Sequence, residues 1–100
     1  MKINVTDLIG SQDCISPEDG QKVFKKAERL FKEGKLVILS FEQVDIISLV
    51  FLHEAIGKLY GFFDENIIKK NLTVKGLSPD DMELLKEVVD NAKRYFNNMT

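Results

Sequence analysis

Lys2 to Thr6 alternates polar and apolar residues, with Ile3 and Val5 on one side and Lys2, Asn4 and Thr6 on the other. That period of two predicts a strand with one wet face. Asp7 to Ile15, with Gly10, Ser11, Gln12 and Asp13, reads as a loop in which Ile9 and Ile15 tuck inward as anchors. Ser16-Pro17-Glu18-Asp19 is a helix start: serine caps orphan N–H groups, proline suits the first helical position, and two acids face the positive dipole end. Val23, Phe24, Ala27, Leu30 and Phe31 then recur on one helical face, and Gly34 ends the helix.

Leu36 to Leu39 is apolar at every position, which predicts a central strand covered by helices on two sides. Phe41 to Asp45 reads as a turn. From Ser48 to Phe63 the helical period returns, with Leu52, Ala55, Ile56, Leu59 and Phe63 facing inward, until Asp64, Glu65 and Asn66 break it. Leu72 to Lys75 alternates again, as an outer strand does. Gly76 to Asp81 repeats the cap logic, and Met82, Leu85, Val89, Ala92 and Phe96 give the last helix a buried stripe flanked by Val88 and Tyr95. The tail, Asn97 to Thr100, is expected to fray.

The order strand, helix, strand, helix, strand, helix, joined by right-handed crossovers, makes the strand pairs parallel. The expected fold is a small α/β layer structure, β-α-β-α-β-α, forming one domain over residues 1–100. Its sheet has three strands, or four if a short one lies within Asp7 to Ile15; an open edge also leaves room for pairing with a second chain.

Composition removes several function classes. The net charge is -2, with Lys and Arg interspersed among Asp and Glu, so there is no positive field to hold nucleic acid. Cys14 is the only cysteine and has no partner for a disulfide, a redox pair or a zinc site. The start, MKINVTDLIG, shows no signal-peptide pattern, and the longest apolar run, within Ile46 to Leu52, is too short to cross a bilayer. A cytoplasmic protein without a membrane segment is expected.

No catalytic constellation is evident. His53 is the only histidine, which leaves no metal ligand set, and no glycine-rich phosphate loop is present, so neither a metal nor a cofactor is expected. A Cys14–His53 nucleophile pair is the one thiol arrangement available, and a solvated histidine beside a structural cysteine is the plainer reading. A non-enzymatic role follows. The middle helix carries one oddity. Counted from Ser48 at 100° per residue, Val50 lies opposite the apolar face, with His53, Glu54, Gly57 and Gly61, and Leu49 lies on the border. Such a pair is either a contact surface or is buried by the turn Asp45 to Ser48.

The segment Val37 to Ser48 resembles the core of STAS domains, the fold of bacterial anti-anti-sigma factors, and looks closer still to the small STAS-like domains of unassigned function. Phe41, Val44, Ile47, Ser48, Phe51, Glu54 and Gly57 fit the spacing, and Gly20, Gly34-Lys35 and the strand from Leu72 to Gly76 are consistent with it. The resemblance implies an intracellular regulatory module that docks a protein, such as a kinase-type ATPase, through the loop and helix start at residues 45–57. The implied contact residues are Ser48, Leu49, Val50, His53, Glu54 and Gly57. In such factors a serine at the helix start is phosphorylated to switch binding off. Here the position aligning best with that serine is Leu49, and Ser40 replaces the strand-end Asp. Ser48 is the remaining acceptor, although an N-cap role suits it better. Constitutive apolar contact is the main expectation; a switch at Ser48 and a homodimeric assembly role are the alternatives.

Overall fold

A computed structural model of the chain describes residues 1–97. Strands β1 (Lys2–Asn4), β3 (Val37–Ser40) and β5 (Leu72–Lys75) form one parallel sheet in the order β1-β3-β5. Ile3 pairs with Leu39, and Leu39 with Val74, so one row of apolar side chains runs across one face. Both crossovers step in the same direction, and right-handed connections therefore place their helices on that same face. Lys2, Asn4, Thr73 and Lys75 on the opposite face are exposed, and Ile38 among them is half-buried. β3 is central, as expected, but it is covered on one side only. Leu36 is 61% exposed and lies ahead of the strand.

The first strand is shorter than its alternation suggests. Val5, fully buried, opens a short helix α1 (Val5–Ile9), which Gly10 closes at φ 73. Strand β2 (Asp13–Cys14) follows and pairs in parallel with β4 (Ile46–Ile47), Asp13 opposite Ile46 and Cys14 opposite Ile47. A short strand therefore does fall within residues 7–15, but it builds a separate two-stranded sheet. Ile9 is buried as expected; Ile15 is not an anchor, being 48% exposed.

Helix α2 (Pro17–Lys32) matches its sequence signals. Ser16 Oγ accepts from Asp19 N at 3.2 Å, Pro17 opens the first turn, and the five apolar positions of the stripe are all buried. The middle helix is not continuous: α3 (Leu49–Leu52) runs into a π-turn (His53–Gly57) and then α4 (Leu59–Phe62). Phe63 leaves helical geometry and ends it, yet a further helix, α5 (Glu65–Asn71), follows at once and buries Ile68. Helix α6 (Pro79–Asn97) is capped by Ser78, whose Oγ accepts from Asp81 N at 3.2 Å. Its inward face is Leu85, Val88 and Ala92, so Val88 takes the central place expected of Val89, which is half-buried, and Met82 is 46% exposed rather than buried.

One apolar cluster joins the layers. Leu39 and Phe41 from the sheet side meet Val23, Ala27 and Leu30 of α2, and Phe51, Leu52, Ile56 and Leu59 of the middle helix. Burying each of these large side chains contributes roughly 1.5–3 kcal/mol, against a comparable loss of chain entropy. Residues 98–100 of the tail expected to fray lie outside the described residues. Among the described residues, no helix is long and apolar enough to cross a membrane.

Candidate docking surface

Two hydrogen bonds fasten the start of α3 to the end of β2, and a third joins the residues ahead of the two short strands. Ser48 N donates to the Cys14 carbonyl at 2.9 Å, Ser48 Oγ donates to the Ile15 carbonyl at 2.8 Å, and Asp45 N donates to the Gln12 carbonyl at 2.8 Å. Ser48 Oγ also accepts from Phe51 N at 3.1 Å, so the hydroxyl caps the helix and ties it to β2 together. Along this corner the strand alternation turns Cys14 and Ile47 inward and Ile46 outward, and Ile15 follows Cys14 outward. Leu49 and Val50 are the first two residues of α3. Ile15, Ile46, Leu49 and Val50 stand 48%, 52%, 46% and 52% exposed. A half-exposed apolar residue alone is ordinary, but four on neighbouring strands and a helix start form the kind of patch that marks contact sites.

The residues expected from sequence divide into two groups. Ser48, Leu49, Val50 and His53 lie at the surface or half-buried beside one another along the first turns. Glu54 and Gly57 do not join them. Glu54 accepts from Gln21 Nε2 at 3.1 Å and pairs with Lys58 at 3.0 Å, a link between α2 and the middle helix. Burial by itself would raise the Glu54 carboxyl, but the hydrogen bonds from Gln21 and Lys58 outweigh it and hold the pKa below the usual range. Gly57 is buried beneath α6, where an added Cβ would stand 3.3 Å from Val88 Cγ1. Its bare surface serves internal packing. Ile15 and Ile46 are the two members that sequence reasoning missed; their outward placement depends on the pairing of β2 with β4, which no local pattern announces.

The π-turn is fixed by Lys58 N donating to the His53 carbonyl at 3.0 Å, five residues back. Gly20 of α2 lies against its entrance. A Cβ there would fall 2.8 Å from the Phe51 carbonyl oxygen and 2.8 Å from Glu54 Cβ. The two helices thus touch through backbone, and the orientation of α3 is set by that contact as well as by Ser48.

Cys14 has no exposed surface. Burial, with Asp19 and Asp13 nearby, pushes its thiol up to about 11. At neutral pH it is a protonated core side chain, unsuited to nucleophilic work. Its pKa is raised in the folded state, so its contribution is complete below the ordinary value of 9.0 and is lost as pH rises toward about 11. Denaturant titrations are expected to show wild type losing on the order of 2–3 kcal/mol more than Cys14→Ala between pH 8 and 11. Equal losses in the two proteins would show that the thiol ionises freely.

A one-sided parallel sheet, with exposed apolar residues at the capped start of its middle helix, defines a small α/β module. The chain belongs to the STAS-like domains: residues 19–82 match the family described as "STAS-like domain of unknown function (DUF4325)". The match runs from α2 to the start of α6 and includes Ile46, Leu49 and Val50. The chain is also 29% identical over 109 residues to an uncharacterized protein of Archaeoglobus fulgidus, across 95% of this chain and 47% of the relative. It therefore spans about half the length of that curated relative. No solved structure gives a significant match.

Proposed function

We propose that this STAS-like domain is a non-enzymatic docking module of the cell interior, and that it binds a protein partner through Ile15, Ile46, Leu49 and Val50. The observation that carries the reading is the exposure of these four apolar side chains at one corner of the fold. The corner is held rigid before any partner arrives, because Ser48 is bonded to both Ile15 and Phe51. A preorganised apolar surface loses little entropy on binding.

The same two bonds argue against a phosphorylation switch at Ser48. Modifying its oxygen removes the donated bond to Ile15 and sets a negative charge against the Ile15 carbonyl oxygen. Docking is accordingly constitutive, with affinity set by apolar burial. A photo-crosslinking amino acid at position 50 tests the reading in cells of the source organism. A discrete adduct is expected from position 50 and from position 46, and none from Lys70, which is exposed on α5. The adduct mass tells a separate partner from a second copy of this chain. Equal labelling from all three positions, or from none, removes the docking corner.

A further inference from the structure

Away from the docking corner, α5, β5 and α6 enclose a second feature. A cavity of about 290 Å³ opens between them, just below the usual size range for ligand sites (roughly 300–1,000 Å³). Its floor is apolar throughout: Ile56, Ile68, Leu72, Val74, Leu85 and Val89. Its mouth is polar and carries Tyr60, Glu65, Lys69 and Lys93. Lys69 and Lys93 face Glu65 there, and Asp90 lies near both Tyr60 and Lys93, so the charges of the entrance balance and each lysine has a carboxylate that a ligand head group could replace.

One exposed ion pair stands at the mouth. Lys93 Nζ meets Glu65 Oε1 at 2.6 Å and lies 5.9 Å from the centre of the Tyr60 ring. The Glu65 side chain is 53% exposed, so it can turn into water and be replaced as the acceptor. Burial raises the Tyr60 hydroxyl above its ordinary value, with Lys93 partly offsetting the rise. An apolar floor beneath two lysines and a phenol matches one ligand chemistry. A short hydrocarbon chain fills the floor, and a carboxylate takes the position that Glu65 holds on Lys93.

We infer that this cavity binds a small amphipathic carboxylate, of the medium-chain fatty-acid class, with Lys93 and Lys69 receiving the head group and the Ile68–Leu85–Val89 floor receiving the chain. The inference is independent of the docking corner, since it shares no residue with it.

Octanoate, octanol and octylamine are the probes, followed by methyl NMR on the 100-residue chain. Octanoate is expected to give saturable shifts, half-complete below about 1 mM, at the Ile56, Ile68, Leu85 and Val89 methyls. Octanol is expected to bind at least about tenfold more weakly, and octylamine more weakly still. Lys93→Gln is expected to weaken octanoate at least about tenfold, whereas Glu65→Gln, which frees Lys93, is expected to tighten it. Val89→Trp fills the cavity and abolishes the shifts. Octylamine binding as well as octanoate overturns the inference. So do octanoate shifts located outside these methyls, an absence of shifts at millimolar concentration, or a Glu65→Gln protein that binds more weakly. These outcomes are read on wild type or on a surface variant, so they stand even where Val89→Trp fails to fold.

Discussion

Valine at position 20 is expected to leave the domain largely unfolded in mild denaturant. Gly20 sits where α2 crosses the middle helix, and a Cβ there meets the Phe51 carbonyl oxygen and Glu54 Cβ, each at 2.8 Å, with Ala55 N at 3.4 Å. Two of these three neighbours are backbone atoms of the segment that enters the π-turn, so they cannot rotate away as a flexible side chain would. Alanine gains about 1 kcal/mol of helix propensity over glycine and still has to force the helices apart. Its net cost is expected to be about 1–2 kcal/mol. Valine adds two methyl groups to the same clash and is expected to cost more than about 3 kcal/mol, a large share of the 5–15 kcal/mol typical of a domain. Gly34→Ala provides the contrast. That glycine has φ +75 with open space around it, so only backbone strain of about 1–2 kcal/mol is at stake. Urea midpoints should fall in the order wild type, Gly34→Ala, Gly20→Val. A Gly20→Val midpoint equal to wild type would mean that the helices do not touch through backbone.

The second large effect is on binding. Leu49→Glu combined with Val50→Glu is expected to weaken the crosslinked partner by more than about 100-fold while leaving the fold standing. Both side chains are about half exposed in the free domain, so the unbound protein loses little apolar burial. Both also lie in the first turn of α3, where a carboxylate is favoured by the helix dipole. The change in unfolding free energy should stay within about 1 kcal/mol. In a complex the same carboxylates are taken out of water without partners, which costs several kcal/mol. Loss of binding with an unchanged urea midpoint supports the corner. Loss of both together would make Leu49 and Val50 structural.

How much of this was legible in the chain depends on how local each cause is. Helix α2 was fully readable, because Ser16, Pro17, the five-residue apolar stripe and Gly34 all act within a few residues of one another. The three main strands were readable as strands, and β3 as the central one. Its one-sided cover was not, since Ile38 is apolar yet shares its face with Lys2 and Thr73 of the neighbouring strands. β2 and β4 have two residues each and exist only through their pairing across more than thirty positions. Helix α5 has seven residues and a single buried one, too little for a period to register. In α6 the choice between Val88 and Val89 turns on the rotation imposed by the middle helix.

The candidate site shows the same division. Val50 was visible as an apolar residue on the wrong side of a helix and Leu49 as one on the border, and the structure leaves both about half exposed. Ser48 was visible as a cap, and its hydroxyl does cap Phe51 N. Glu54 and Gly57 shared that side by angular counting, but the π-turn and the packing of α2 and α6 enclose them. Ile15 and Ile46 needed the second sheet to be known. The family resemblance pointed to the segment 45–57, and the packing decides which of its residues face outward.

The central claim is that this corner binds by burying apolar surface, constitutively and without a charge switch. Calorimetric titration of the crosslinked partner into the wild-type domain, repeated across temperature and salt, tests it most directly. The account predicts a clearly negative heat-capacity change and an affinity that shifts by less than about threefold between low and high salt. A heat-capacity change near zero, with affinity falling at least about tenfold as salt is added, would contradict it.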